Sequence, residues 1–204
     1  EVLATDDFNR ADGGLGANWT TQSTTQDPQI RSNLVETNAA SGATPSNAFY
    51  TAIAWPDNQY SKVTVKALTT NTNRVVEALV RGATGAKTHY ECRALGPIGA
   101  TATLTILLFN AGVPSSLATT GASFTLAADD VMTCKAIGTT ISLEINDVQQ
   151  LSVTNATITS GSAGVGAFVV TGGATSGAQL DDWEGGDVPA MFQSSPGFLG
   201  TIIK

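Results

Sequence analysis

Apolar and polar residues alternate with a period of two along much of this 204-residue chain, the spacing that sends successive side chains to opposite faces of a β-strand. From Arg74 to Arg81, one face collects Val76, Ala78 and Val80 and the other Glu77, Leu79 and Arg81. The run His89 to Leu95 sets Tyr90, Cys92 and Ala94 against His89, Glu91 and Arg93. Leu104, Ile106 and Leu108 oppose Thr103, Thr105 and Leu107, and Ile141, Leu143 and Ile145 oppose Ser142, Glu144 and Asn146. The first-named set of each pair predicts a core between two sheets. Further strands are predicted at Gln29 to Glu36, Ala48 to Ala54, Ser61 to Thr69, Met132 to Ile137, Val148 to Val153, Gly164 to Val170 and Gln179 to Trp183.

Turn residues separate these runs: Gly82 to Gly85, Gly96-Pro97-Ile98-Gly99, Asn110-Ala111-Gly112, Gly138-Thr139 and Asn146-Asp147. The expected organisation is a meander of hairpins. No stretch carries a helical stripe, and the abundance of Thr, Val and Ile favours strands.

Composition narrows the partners. Hydrophobic residues make up 42% and charged residues 13%, which fits a packed all-β domain and argues against disorder. A net charge of −7 argues against nucleic acid and anionic membranes, because phosphate binding depends on Lys and Arg. The longest interior apolar run, Leu104 to Phe109 interrupted by Thr105, has the length of a strand, far below the roughly 20 residues of a membrane span, so no membrane insertion is expected.

The two ends of the chain carry its most specific motifs. The opening EVLATDDFNRADGGLGANW holds Asp6, Asp7, Phe8, Asn9, Arg10, Ala11, Asp12, Leu15, Gly16 and Trp19 in the order D-D-F-N-R-A-D-x-x-L-G-x-x-W, and Leu180 to Gly186 reads LDDWEGG. Together they resemble the concanavalin A-like, laminin G-like jelly rolls of bacteriophage structural proteins and secreted bacterial glycan-associated proteins. YECR from Tyr90, GTTISLEIN from Gly138 and SGSAGVGAF from Ser160 continue the resemblance with lower specificity. It implies an all-β, two-sheet antiparallel jelly-roll sandwich over residues 1–186, with a short strand around Asp7-Phe8 and with Trp19 and Trp183 in the core. Residues 187–204 form an apolar C-terminal extension, in which Met191, Phe192, Phe198, Leu199, Ile202 and Ile203 either pack back on the sandwich or dock on a neighbouring subunit.

Candidate chemistry is sparse. Cys92 and Cys134 both fall on core-facing positions, where they either pair or stay as buried thiols; strands flanking Leu104 to Leu108 would hold them too far apart. Glu77, Arg81, His89, Glu91, Arg93, Lys135 and Glu144 point away from the core and are expected on one sheet as solvated cross-strand ion pairs. In an enzyme of this fold, Glu77, His89, Tyr90 and Glu91 would be the catalytic candidates, since glycosidases need paired carboxylates and lyases of the fold use His and Tyr. The E-x-D-x-x-E motif of laminarinase-type relatives is absent; EIND, Glu144 to Asp147, is its nearest approach. His89 is the sole histidine, which argues against a Ser-His-Asp triad and a multi-histidine metal site. Glycan-binding candidates are Trp55 and Tyr60, near the Pro56-Asp57-Asn58 turn with Tyr50, and Arg81 and Arg93. No cofactor is expected beyond a structural calcium ion, which the resemblance suggests near Asp6, Asp7, Asp181 and Asp182.

These features rank three functions. The first expectation is a non-enzymatic structural or adhesion module, a virion component such as a capsid decoration or tail-appendage protein, with other subunits and surface glycans as partners. The alternative is a secreted carbohydrate-binding module, and behind it a polysaccharide hydrolase or lyase. A virion or extracellular location follows from any of them.

Overall fold

The computed structural model describes residues 1–22, 27–38, 47–68, 74–85, 87–169 and 177–189, which contain strands and no α-helix. In chain order the strands are β1 (Val2–Asp6), β2 (Gly13–Gly14), β3 (Trp19–Thr21), β4 (Pro28–Arg31), β5 (Leu34–Thr37), β6 (Asn47–Tyr50), β7 (Gln59–Leu68) and β8 (Arg74–Ala83). The second half contains β9 (Thr88–Leu95), β10 (Thr101–Asn110), β11 (Val113–Thr125), β12 (Val131–Ile137), β13 (Thr140–Ile145), β14 (Val148–Thr154), β15 (Ser162–Val169) and β16 (Ala178–Asp187).

A nine-stranded sheet runs β14-β13-β12-β7-β16-β5-β4-β2, and β1 joins it against β16. A seven-stranded sheet runs β11-β10-β9-β8-β15-β6-β3. Every pairing is antiparallel, as hairpins and a jelly roll require.

The alternating sets meet where the pattern places them. Val76, Ala78, Val80, Tyr90, Cys92, Ala94, Leu104, Ile106 and Leu108 pack from the seven-stranded sheet against Val63, Val65, Met132, Cys134, Ile141, Leu143 and Trp183 of the other. Each large apolar side chain buried in this layer contributes roughly 1.5–3 kcal/mol. Cys92 and Cys134 are part of that contact. They lie on β9 and β12, in opposite sheets, with Cα atoms 5.4 Å apart and a disulfide between them. The expected separation by Leu104 to Leu108 does not apply, because β12 does not continue the sheet that holds β9 and β10.

Three local differences from the sequence reading have simple causes. The predicted strand Gln29 to Glu36 is a hairpin, broken at Ser32 and Asn33 with φ of 53° and 64°, the left-handed backbone that closes a tight two-residue turn. The strand at Ala48 stops at Tyr50. β11 was unforeseen because it is an edge strand largely exposed on both faces, so its Ser- and Thr-rich sequence shows no apolar period.

The opening motif is a small machine for closing the sandwich. β1 ends at Asp6, before Asp7-Phe8, where Phe8 turns the chain with φ of 50°. The Asp6 carboxylate accepts hydrogen bonds from Phe8 N (2.9 Å), Arg10 Nη1 (2.6 Å), Arg10 Nη2 (2.9 Å) and Trp19 Nε1 (2.8 Å). Burial acts to raise the Asp6 pKa, but these bonds outweigh it and hold the group below its ordinary value. Trp19 then packs edge-on against Trp183, with ring centroids 4.7 Å apart, joining the opening motif to the closing one.

The disulfide spans a sequence separation of 42 residues, a loop for which cross-linking typically stabilises by about 2–4 kcal/mol. Cys92→Ala/Cys134→Ala should lower the urea midpoint by that equivalent; an unchanged midpoint would show that the bond adds nothing beyond the packing of the two sheets.

Candidate functional site

Alternation along β7 sends Gln59, Ser61, Val63 and Val65 inward and leaves Tyr60, Lys62, Thr64 and Lys66 partly exposed on the outer face of the nine-stranded sheet. Neighbouring strands add Val131, Thr133 and Lys135 from β12 and Glu184 from β16. Between β16 and β7 the register shifts from Asp181 to Glu184, and Asp182 takes a φ of 47°, which a short polar residue tolerates. At the far side Asn146 and Asp147 form a turn with φ of 50° and 63°. Asn146 Oδ1 accepts from Val131 N at 2.9 Å and its Nδ2 donates to Asp130 at 2.8 Å, which fixes the turn beside β12.

These elements enclose a groove of about 1090 Å³ bordered by Asp6, Asp7, Arg10, Asn18, Asp147 and Asp182. A smaller one of about 250 Å³, with Tyr60, Thr133, Lys135 and Pro189, shares Lys62, Asp147 and Glu184 with it, so the two form a continuous depression. At their junction the Tyr60 hydroxyl donates to Glu184 Oε1 at 2.6 Å, and Lys62 Nζ lies 2.9 Å from the same oxygen. Burial opposes ionisation of Glu184, but the Tyr60 and Lys62 bonds prevail and keep its pKa low. Burial and that same bond push the Tyr60 phenol well above its ordinary value. Lys135 pairs with Glu144 and Arg10 with Asp6. Thr133 is only 2% exposed, and its Oγ1 has no hydrogen-bond partner among the described residues.

The outer face of the seven-stranded sheet is built differently. Glu77, His89 and Glu91 are 0%, 1% and 2% exposed, so the expected solvated ion pairs are instead a buried polar cluster. Leu79 and Leu107 on that face are buried too, and Lys135 and Glu144 belong to the other sheet. The Glu77 and Glu91 carboxyls share a hydrogen bond, which requires one of them to be protonated. Burial, then the charge of Glu91, raises the Glu77 pKa well above the carboxylate range. For Glu91, burial is outweighed by hydrogen bonds from His89 and Glu77 and by the charges of His89 and Arg93, and its pKa is lowered. His89 Nε2 lies 3.6 Å from Glu91 Oε2 and 3.0 Å from Asn47 Nδ2, and its ring stacks on Phe109 at 4.8 Å. Arg93 Nη1 is 3.6 Å from Glu91 Oε1.

Tyr90 does not join this cluster. As the next residue along β9 it points into the core, where its hydroxyl donates to Asn155 Oδ1 at 2.7 Å and accepts from Ile158 N at 3.1 Å. His89 and Tyr90 therefore stand on opposite faces of one strand. Neither groove described above is lined by Glu77, His89, Tyr90 or Glu91.

Two glycan candidates are occupied elsewhere. Arg81, 2% exposed, donates to the carbonyls of Asp57 (3.0 Å), Ile158 (2.9 Å) and Gly138 (2.7 Å), tying three loops together. Trp55 donates Nε1 to Tyr50 O at 2.6 Å and packs edge-on to Trp183 with centroids 6.0 Å apart. Trp55 and Tyr60 do not form one platform: a side chain at Gly185 would strike Trp55 and one at Gly186 would strike Tyr60, and adjacent strand residues face opposite ways.

The calcium candidates lie near one another without forming a chelating set. Asp6 is engaged by Arg10 and Trp19, Asp7 caps Asn9 N at 3.1 Å, and Asp181 accepts from Asp182 N at 2.9 Å. Among the described residues no three acidic, His or Cys side chains converge to hold a metal ion, so this donor set does not fit calcium. Met191, Phe192, Phe198, Leu199, Ile202 and Ile203 lie outside the described residues.

Solved structures place the fold among known ones. The carbohydrate-binding module CBM66 from Bacillus subtilis superposes with a TM-score of 0.60 at 12% identity, covering 84% of this chain and 98% of that one. The protein has a concanavalin A-like jelly-roll fold. The exoplasmic/lumenal domain of VIP36, in a Ca2+/Man3GlcNAc-bound form, gives 0.60 at 10% identity over 88% of this jelly roll and 86% of that domain. LamAcat from Zobellia galactanivorans gives 0.55 at 11% identity, covering 90% and 94%. No protein-family model and no curated protein sequence matches the chain.

The buried acid pair has a consequence for stability. Above the unfolded glutamate pKa, near 4.3, the unfolded chain releases the Glu77 proton while the folded chain keeps it, so stability falls as pH rises toward the folded value. Glu91 acts in the opposite sense, its contribution being lost as pH falls through its lowered folded pKa. Glu77→Gln, which can still donate to Glu91, should flatten the decline above the unfolded glutamate pKa, a decline that reaches at most about 1.4 kcal/mol per pH unit for one proton. Urea titrations at several pH values would measure it, and parallel slopes in the two proteins would refute the shared proton.

Proposed function

We propose that this jelly roll is a non-enzymatic carbohydrate-binding module of an extracellular protein, with its ligand lying along the groove on the outer face of the nine-stranded sheet. The observation that carries the reading is the groove itself: an open depression in which carboxylates, amides, a phenol and a threonine hydroxyl converge around Tyr60, Lys62 and Glu184. Sugars present hydroxyls in many directions and apolar ring faces, and such a surface meets both needs. The Cys92–Cys134 disulfide suits an oxidising compartment, and no helix among the described residues is long and apolar enough to cross a membrane. Similarity in fold to CBM66 and to the sugar-bound VIP36 domain supports the same class without naming the sugar.

Two observations weigh against a catalytic reading. The acid pair is sealed in the sheet surface, and His89 and Tyr90 point to opposite faces of β9. An assembly role as a virion component depends on the apolar tail, which the described residues do not include.

Screening the whole chain on a glycan array should give retention that Tyr60→Ala weakens roughly tenfold, if stacking contributes on the order of 1–1.5 kcal/mol. Trp55→Ala should instead lower the melting temperature while leaving the affinity of the folded protein nearly unchanged. Absence of any retained glycan, or full retention by Tyr60→Ala, would rule out this site.

A further inference from the structure

We infer that the groove selects glycans that carry free amino groups, such as glucosamine-type units lacking the N-acetyl group, over neutral sugars, and rejects uronates and sulfated sugars. This rests on the carbohydrate-binding reading and adds the charge class of the ligand.

The argument starts from charge placement. Five carboxylates (Asp6, Asp7, Asp147, Asp182 and Glu184) and two cations (Arg10 and Lys62) line the larger groove. Both cations are already neutralised, Arg10 by Asp6 through two hydrogen bonds and Lys62 by Glu184 at 2.9 Å. Lys135, in the smaller groove, is held by Glu144. An anionic ligand would have to break one of these pairs to find a cation. By contrast, no salt bridge among the described residues reaches Asp7, Asp147 or Asp182, all three of them exposed, and Arg10 and Lys66 act on Asp7 and Asp182 only at longer range. Like charges crowd one end: after burial, Asp182 and Asp7 are among the influences that raise the pKa of neighbouring Asp181. An ammonium group placed there would relieve repulsion as well as gain attraction.

A second, independent feature indicates a polar ligand rather than bare counter-ions. Thr133, 2% exposed, borders the smaller groove with its Oγ1 buried and without a hydrogen-bond partner among the described residues. A buried hydroxyl left unbonded is costly, and a sugar hydroxyl is a partner of matching size and chemistry. The depression therefore joins a buried hydroxyl without a partner to a strip of carboxylates that no direct salt bridge reaches among the described residues, and a polyhydroxylated chain bearing amines satisfies both.

The test uses the whole chain on an array of matched glycans that differ only in an amine, an N-acetyl group or a carboxylate, read at low and at roughly 0.3 M salt. Amine-bearing members should be retained about tenfold more strongly than their N-acetylated counterparts at low salt, with the ratio shrinking at high salt as exposed charges are screened. Asp147→Asn/Asp182→Asn should bring that ratio close to one; asparagine is chosen because both positions have positive φ, which it accepts. Thr133→Val should weaken every class that binds. Equal binding of matched pairs, preference for uronates, or an amine preference that survives the double substitution would overturn the charge assignment while leaving a carbohydrate-binding module. Failure to retain any glycan would remove that underlying reading and this one with it.

Discussion

The Asp6 carboxylate receives four hydrogen bonds, from the backbone of Phe8, from both terminal nitrogens of Arg10 and from the indole of Trp19. With Trp19 held in this way, its ring meets Trp183, and Tyr50 stacks on Trp183 from the other sheet at 5.2 Å. The first strand and the last are thereby joined where β1 takes up pairing with β16 at Trp183 to Gly186, beyond the single contact of β5 at Leu180. Without the carboxylate, the part-buried Trp19 N–H would lose its partner at the edge of the core, a loss of roughly 1–3 kcal/mol, and the exposed Arg10 guanidinium would turn to water and Leu15 O. The same residues then border the groove: Asp6, Arg10, Leu15, Gly16 and Trp183 all line it. Fold closure and the candidate binding surface share one set of contacts.

The two outer faces show contrasting treatments of polar side chains. On the nine-stranded sheet, charges remain partly hydrated, so Lys62, Glu184, Lys135 and Glu144 can pair at modest cost and still present an open surface. On the seven-stranded sheet, burial forces the acids to share a proton, because two ionised carboxylates in contact out of water would repel and lack solvation. Such a cluster resembles catalytic machinery when read as residue types alone. In place, it is a buried, electrostatically coupled cluster, and neither groove reaches it.

Much of the architecture was legible along the chain. Alternation at Val76 to Val80, Tyr90 to Ala94 and Leu104 to Leu108 identified core faces that the structure preserves, since a one-residue slip would expose all of them. The opening and closing motifs indicated the jelly roll because their residues are those that Asp6 and the two tryptophans require. The binding surface was far less legible: Tyr60 was visible as an aromatic near a turn, whereas Lys62, Thr133, Asp147 and Glu184 gave no signal of belonging together. They come from four separate elements and meet only through the pairing of β12, β7 and β16 and the turn before β14.

Sequence by itself determined which residues face inward on each strand and where several of the hairpins turn, because a pleated strand imposes a period of two and tight turns demand residues that tolerate positive φ. Only the tertiary structure decided which sheet each strand joined. That choice brought Cys92 against Cys134, sent Arg81 to three loop carbonyls, and turned expected surface charges at Glu77, His89 and Glu91 into a buried network. Local pattern specifies orientation relative to a strand. Burial, pairing and ligand access depend on what other strands and loops place on each side, and that information is distributed over the whole chain.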